Sequence, residues 1–243
     1  MSIEYSIGKE FHQKICCFNI NLIFKFSTWK IFYNAVHELK IYNKENVKIL
    51  YLTNPKAENL NVLPEFMRKC GDQVEIFYDK INVSFVNKLK TEFIVSDRYE
   101  FLIKEEVIRN LKGNIINLHS SILPWNKGYH SNFWSIYYDT PKGNSIHYVD
   151  KGIDTGDIAF QSEIFFENND TLKTTYYKLR ENMLELFFQN WIYIKKNNVE
   201  RKKQSAKDGS LHYKKEFNNL FKKLPNGWDT NIQVIRNLKN DLR

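Results

Sequence analysis

The sequence predicts an α/β fold, a doubly wound and mostly parallel sheet followed by a small C-terminal appendage of helices and extended chain. Three observations predict it. From residue 14 to about 118, short runs of β-branched and aromatic residues alternate with helical patterns, the order that produces parallel strands joined by right-handed crossovers. The runs are almost continuously apolar, as strands covered on both faces are. The composition, 42% apolar and 26% charged with nine glycines and five prolines in 243 residues, excludes collagenous, low-complexity and disordered chains.

The elements follow in order. KICCFNINLIF, residues 14 to 24, contains a first strand. Ser27 and Thr28 are placed to cap the next helix, whose Ile31, Ala35 and Leu39 fall on one face. Residues 47 to 53, 74 to 78, 91 to 96 and 114 to 119 read as buried strands, and 104 to 113 as a helix ended by Gly113 in a left-handed cap. Ligands of such sheets sit outside the carboxyl ends of the strands, here the loops after Ser96 and His119. Residues 131 to 139 suggest a short helix, and 144 to 149 and 157 to 166 alternate like antiparallel or mixed strands. A long helix runs from about Thr171 to Lys195, with Leu172, Tyr176, Leu179, Met183, Phe187 and Ile194 as its apolar stripe. A polar, basic loop follows, then short helices at 215 to 223 and 231 to 242. The expected division is a catalytic α/β domain at 1–166 and an appendage at 167–243.

A formal charge of +8 suits an anionic partner, although an Asn- and Lys-rich composition produces the same surplus. Cys16, Cys17 and Cys70 cannot make a disulfide framework, and the N-terminal stretch lacks the apolar core of a signal peptide. No run approaches the roughly 18 apolar residues of a membrane span. These features lead us to expect a cytoplasmic protein without membrane or nucleic-acid partners.

Five of the nine glycines lie between Gly113 and Gly156, and none between Gly8 and Gly71. Within that stretch, Asn117 and His119 alternate at a strand end and share a face. Farther on, DKGIDTGD sets Asp150, Asp154 and Asp157 on a turn with two glycines. A carboxylate beside an imidazole fixes its tautomer and stabilises its charged form. The six histidines have no metal-ligand spacing, and no serine stands in a nucleophile elbow. No metal is expected.

N-x-H-x-S-x-L-P followed, 35 residues beyond His119, by Asp154 in I-D-T-G-D resembles the core of the 10-formyltetrahydrofolate-dependent formyltransferases. PWNKG and NFWS resemble in particular the sugar N-formyltransferases, most like those acting on dTDP-4-amino-4,6-dideoxyglucose. Ser131 replaces the usual proline, and Tyr129-His130 also differ.

The resemblance implies a Rossmann-like core and direct transfer of a formyl group from N10-formyltetrahydrofolate to the amine of a nucleotide-linked amino sugar, for surface polysaccharide (lipopolysaccharide, O-antigen) synthesis in a bacterial cytoplasm. It implies Asn117, His119 and Asp154 as catalytic residues, with His119 or Asp154 as base. Phe101, Leu102 and Ile103, which also suit core packing, and Asp150 are implied for the folate. Trp125, Asn126, Lys127, Asn132 and Trp134 are candidates for the nucleotide sugar, Trp134 fitting the core equally well. The basic run from Arg201 to Lys207 is a candidate to close over the diphosphate or a solvated loop. A homodimer is expected from the family.

Among the rivals, a glycinamide ribonucleotide formyltransferase needs a glycine-rich phosphate loop after its first strand, and residues 9 to 70 contain no glycine. A methionyl-tRNA formyltransferase carries a C-terminal RNA-binding barrel, whereas 167–243 reads as mainly helical. A non-catalytic binding protein on this scaffold would usually have lost the reacting groups, and all three are present.

Overall fold

The structure, a computed structural model, describes residues 46–205 and 208–238. The expected first strand and helix at 14 to 42 lie outside the described residues. A six-stranded sheet is built from β1 (Lys48–Thr53), β2 (Gln73–Phe77), β3 (Phe93–Asp97), β4 (Ile115–His119), β6 (Gly143–Tyr148) and β7 (Ile158–Glu163), in the order β2-β1-β3-β4-β6-β7. The first four are parallel, and β6 and β7 run antiparallel to their neighbours. The chain leaves β1 towards β2 on one side and returns to β3 on the other. That reversal opens a crevice at the carboxyl ends of β1 and β3, the place where open α/β sheets take ligands.

The parallel strands connect through α1 (Val62–Lys69), α2 (Val83–Lys88) and α3 (Glu105–Asn110). Helices α1 and α2 were not assigned from the sequence. Each is a short amphipathic segment: α1 buries Leu63, Phe66 and Met67 at helical spacing, and α2 buries only Val86. The Asn82 side chain caps α2 by accepting the Phe85 N–H at 2.9 Å.

The long helix is α5 (Leu172–Lys195), opened by a reciprocal capping box between Thr171 and Thr174. Its buried Met183, Leu184, Phe187, Phe188, Trp191 and Ile194 join Tyr51, Phe66, Phe93, Ile116 and Tyr148 in the main core. Six buried side chains of this size, at about 1.5–3 kcal/mol each, bind α5 to the sheet. The helix that follows the boundary expected at residue 166 thus packs on the sheet of the α/β core. On the other sheet face, α2 and α3 cover Leu50, Leu52, Ile94 and Ile115.

Beyond α5 the chain crosses back over the sheet. Lys202 forms an antiparallel bridge with Ile158, and β8 (Leu211–His212) pairs in parallel with β5 (Lys127–Gly128). Two further helices, α6 (Lys214–Phe221) and α7 (Ile232–Asn237), pack with α4 (Ser131–Tyr137) in a satellite core containing Phe133, Trp134, Leu172, Phe217 and Ile235. Among the described residues, no helix is long and apolar enough to cross a membrane.

Candidate active site

Strand alternation turns Ile116 and Leu118 into the core under α5 and sends Asn117 and His119 to the opposite face. In the antiparallel pairing of β4 with β6, Asn117 stands directly across from His147, where side chains on one face meet. The turn after β6 brings Asp154 back over this pair. Asp154 holds a left-handed backbone, φ 52°, which a non-glycine residue adopts only when its surroundings enforce it. Two anchors do so here. Gln204 donates to the carbonyls of Asp154 and Gly156 at 2.9 and 2.7 Å, and Gly128 N–H donates to Asp154 Oδ2 at 2.8 Å. Gly128 has φ 86°, and a Cβ there would collide with the His212 carbonyl across the β5–β8 pair.

Four side chains thus share one buried space. Asn117 Nδ2 donates to Asp154 Oδ1 at 3.1 Å and lies 3.2 Å from His147 Nε2. Its Oδ1 accepts from Ser96 Oγ at 2.8 Å. His119 Nδ1 is 3.5 Å from Asp154 Oδ2, and His147 Nε2 is 3.3 Å from Asp154 Oδ1. The partners assign the tautomers, since carbonyl oxygens only accept. His119 Nε2 faces the Asn126 carbonyl at 3.0 Å and His147 Nδ1 the Tyr148 carbonyl at 2.8 Å, so each carries its proton there. The other ring nitrogens, His119 Nδ1 and His147 Nε2, face the Asp154 carboxylate inside the site.

Burial lowers the pKa of His119 below the ordinary histidine value, outweighing the opposing pull of Asp154. Burial alone would raise the Asp154 carboxyl, but His119, His147 and the Gly128 N–H outweigh it and hold Asp154 well below the usual carboxylate range. At neutral pH the site therefore contains an anionic carboxylate beside a neutral imidazole whose Nδ1 is free to take a proton. The arrangement suits acceptance of one proton by the His119–Asp154 pair, with the Asn117 amide placed to donate to a developing oxyanion. Among the described residues, no group of three or more His, Cys, Asp or Glu is placed to hold a metal ion.

The structure brings together Asn117, His119 and Asp154 and adds His147, which the sequence reading missed. Its signal lay in the alternation of residues 144 to 149, where His147 falls opposite Asn117 once the strands are known to pair.

The other expected residues divide. Phe101 and Ile103 are half-buried and Leu102 is 76% exposed, at the crevice beside the end of β3. Among the described residues, no hydrogen bond joins the backbone of Phe101, Leu102 or Ile103. Asp150 does not stand free in that way. Its Oδ1 accepts from Gly152 N–H at 3.0 Å and Thr155 Oγ1 at 2.6 Å, which shapes the turn carrying Asp154.

Trp125 and Lys127 are half-buried and remain open to a ligand. Asn126, Asn132 and Trp134 are buried and bonded within the framework. Asn126 is fully buried, with Nδ2 on Thr140 Oγ1 at 2.7 Å. Asn132 donates to the Leu172 carbonyl and Thr175 Oγ1. The Trp134 indole, 2% exposed, donates to the Tyr129 carbonyl at 2.9 Å. In the basic run, Arg201 stacks 3.5 Å over the Tyr148 ring and Lys202 pairs with Ile158, so this segment straps the catalytic turn. Ala206 and Lys207 lie outside the described residues.

A second polar cluster sits at the end of β3. Asp97, fully buried, accepts from Tyr51 Oη at 2.7 Å, from Arg180 in two bonds of 2.8 and 3.1 Å, and from Arg98 at 3.2 Å. Its burial is outweighed by both arginines, which bring its pKa down to about 2. This cluster ties α5 to the loop that begins the expected folate rim.

Comparisons with known proteins agree with this geometry. The formyl transferase family model matches residues 42–190. The chain is 29% identical over 161 residues to a methionyl-tRNA formyltransferase of Clostridium tetani, covering 66% of this chain and 51% of that protein. It spans about half the length, or less, of the curated relatives it matches. Among solved structures it is similar to the formyltransferase PseJ of Anoxybacillus kamchatkensis, in complex with UDP-4,6-dideoxy-4-formamido-L-AltNAc and tetrahydrofolate. That match has 37% identity and a TM-score of 0.71, and covers 77% of this chain and 97% of that one. A 4-N formyltransferase from Francisella tularensis, 24% identical with a TM-score of 0.62 over 72% of this chain and 79% of that one, shares the fold. With its sheet order, its buried Asn–His–Asp constellation and this match over more than half its length, the chain belongs to the formyl transferase family.

Proposed function

We propose that the protein transfers a formyl group from N10-formyltetrahydrofolate to the amine of a nucleotide-linked amino sugar. The observation that carries this reading is the buried Asn117–His119–Asp154 constellation at the end of β4. The likeness to PseJ over almost all of that chain supports the substrate class. The co-substrate, when bound, supplies the activated formyl carbon. The rim at Phe101 to Ile103 would hold its heterocycle, with Trp125 and Lys127 on the acceptor side.

In this reading the neutral amine attacks the formyl carbon and the carbonyl oxygen becomes an oxyanion. Asn117 Nδ2 turns from Asp154 to donate to that oxygen, and one such donor is typically worth about 3–4 kcal/mol in the transition state. The proton lost by the amine enters the gap between His119 Nδ1 and Asp154 Oδ2, where the resulting imidazolium meets a full negative charge. On collapse the C–N bond to the folate would break, and the His119–Asp154 pair would pass the proton taken from the amine to the leaving nitrogen, which restores the site. His147 Nε2 accepts from Asn117 throughout and keeps the amide facing the site.

The acceptor is expected to be a 4-amino-4,6-dideoxy sugar on a pyrimidine nucleotide. The dTDP-linked glucose derivative expected from the sequence and a UDP-linked sugar like the one in the PseJ complex are the first two to test. A homodimer and a role in bacterial surface polysaccharide belong to the same reading. The test is incubation with formyl-folate and a panel of UDP-, dTDP- and GDP-linked 3- and 4-amino sugars, read by mass spectrometry. The expected product is heavier by one CO unit and appears only with formyl-folate. Formylation of methionyl-tRNA, with none of any sugar nucleotide, would overturn it.

A further inference from the structure

Two residues past Gly128, whose N–H holds the catalytic carboxylate, the chain enters an aromatic cluster that the reaction scheme leaves unused. At no more than about 3.5 Å of chain per residue, His130 Cα lies within about 7 Å of Gly128 Cα. His130 adopts a left-handed backbone, φ 54°, which presses its ring onto Phe217 of α6 with centroids 4.0 Å apart. Trp228 lies 5.3 Å from the His130 ring and 5.2 Å from Phe221. Phe217 is buried, but Trp228 is 38% exposed, so the cluster shows its indole to solvent, while His130 is half-buried against Phe217.

Its surroundings are basic. Between Tyr213 and Leu224 there are four lysines, Lys214, Lys215, Lys222 and Lys223, all exposed, against a single glutamate. Lys214 Nζ lies 5.6 Å from the Tyr129 ring. Burial, reinforced by the charge of Lys214, brings the pKa of His130 down to about 4, so its ring is neutral near pH 7 and adds no charge of its own. The His130 and Trp228 rings are inclined at 60°, so the exposed indole supplies the stacking plane, and with ammonium groups on the neighbouring segment it is complementary to a molecule with an aromatic ring at one end and phosphates beside it.

We propose that the Trp228 indole, supported by His130, is the stacking face for the base of the acceptor nucleotide, with Lys214 meeting its diphosphate. This deepens the reading of the protein as a nucleotide-sugar formyltransferase and rests on it. The sugar amine would then reach Asp154 while the base rests on segments contributed by residues 129–130 and 213–228, so acceptor choice would lie in the C-terminal part of the chain.

The experiment compares wild type, Trp228→Ala, Trp228→Phe and Lys214→Glu, with thermal melts confirming that each variant is folded. Calorimetry with UDP and with dTDP gives Kd, and steady-state formylation of the UDP- and dTDP-linked 4-amino sugars gives KM and kcat. Trp228→Ala should raise both Kd and KM roughly 10- to 100-fold, the range expected for loss of one base-stacking aromatic, with kcat changed by less than about twofold. Trp228→Phe should recover most of the loss, and Lys214→Glu should weaken binding most at low salt.

Unchanged Kd and KM in a folded Trp228→Ala protein would overturn the proposal, as would a substitution that weakens methionyl-tRNA binding and leaves both nucleotides unaffected. Failure of the activity reading looks different. Wild type would then formylate no nucleotide sugar, while loss of UDP or dTDP binding in Trp228→Ala would still uphold the stacking face.

Discussion

From Ile49 to Leu52 and from Phe93 to Val95, every side chain is apolar and buried, and the strands are joined by backbone hydrogen bonds in regular parallel register. Beyond His119 the construction changes. Ser145 Oγ donates to the Ser121 carbonyl and accepts from Leu123 N–H, Gln161 bridges Leu123 and Ser145, and the Asn126 N–H rests on Ser210 Oγ. The parallel half gains its stability chiefly from non-directional burial, alongside polar clusters such as that at Asp97, whereas the candidate catalytic corner is held mainly by directional bonds between individually placed polar groups. Such bonds are costly to leave half-made in a buried place, so the corner admits few alternative geometries.

If this contrast holds, substitutions in the two regions should damage different properties. The largest effects are expected at the catalytic groups. Asn117→Ala and His119→Ala should each lower kcat at least about a hundredfold, with nucleotide affinity almost unchanged, and Asp154→Asn should do at least as much by removing the anionic proton partner. Turnover within a few-fold of wild type for any of the three would remove that residue from the scheme. In the apolar half, Phe187→Ala should cost about 3–5 kcal/mol in urea unfolding while the surviving folded enzyme keeps its kcat. A large loss of kcat there would mean that the two regions are not separable.

Gln204→Ala tests the strap. Its amide holds the strained Asp154 turn from outside the site, and misplacement by about 1 Å is enough for roughly a hundredfold loss of rate. We expect a fall of about 10- to 100-fold in kcat with little change in KM, and unaltered kinetics would leave Gln204 a structural residue only.

The smallest effect concerns acid. The folded-state pKa of His130 is lowered to about 4 from an unfolded value near 6.5. The unfolded chain therefore binds the extra proton first, and this contribution to stability is complete above about pH 6.5 and lost as pH falls towards 4. His130→Phe should flatten the decline of Tm over that window. Asp97, with its pKa down to about 2, contributes stability that is lost only at lower pH. An equally steep decline in His130→Phe would show that this ring does not contribute.

How much was legible follows from the same contrast. The runs at 47–53, 91–96 and 114–119 and the stripe from Leu172 to Ile194 announce themselves because continuous or periodic apolar character is a local property of the chain. Helices α1 and α2 escaped because they are short and bury few side chains. The loop after β1, the first strand among the described residues, is Asn54-Pro55-Lys56-Ala57 and contains no glycine. Trp134 and Asn132 looked like ligand contacts because a tryptophan and an asparagine near a glycine-rich turn suit either role. Their burial is decided by α5 and by the satellite core, neither of which is visible locally.

By itself the sequence determined the fold class and singled out Asn117, His119 and Asp154 as the candidate trio, because strand alternation and the motif that carries the family resemblance are written within 38 consecutive residues. Only the tertiary structure decided that His147 faces Asn117, that Gln204 holds the Asp154 turn across 50 positions, and that Trp228 meets His130. These contacts join segments far apart along the chain, and the energy that selects them comes from the packing of α5 onto the sheet and of the C-terminal helices onto α4.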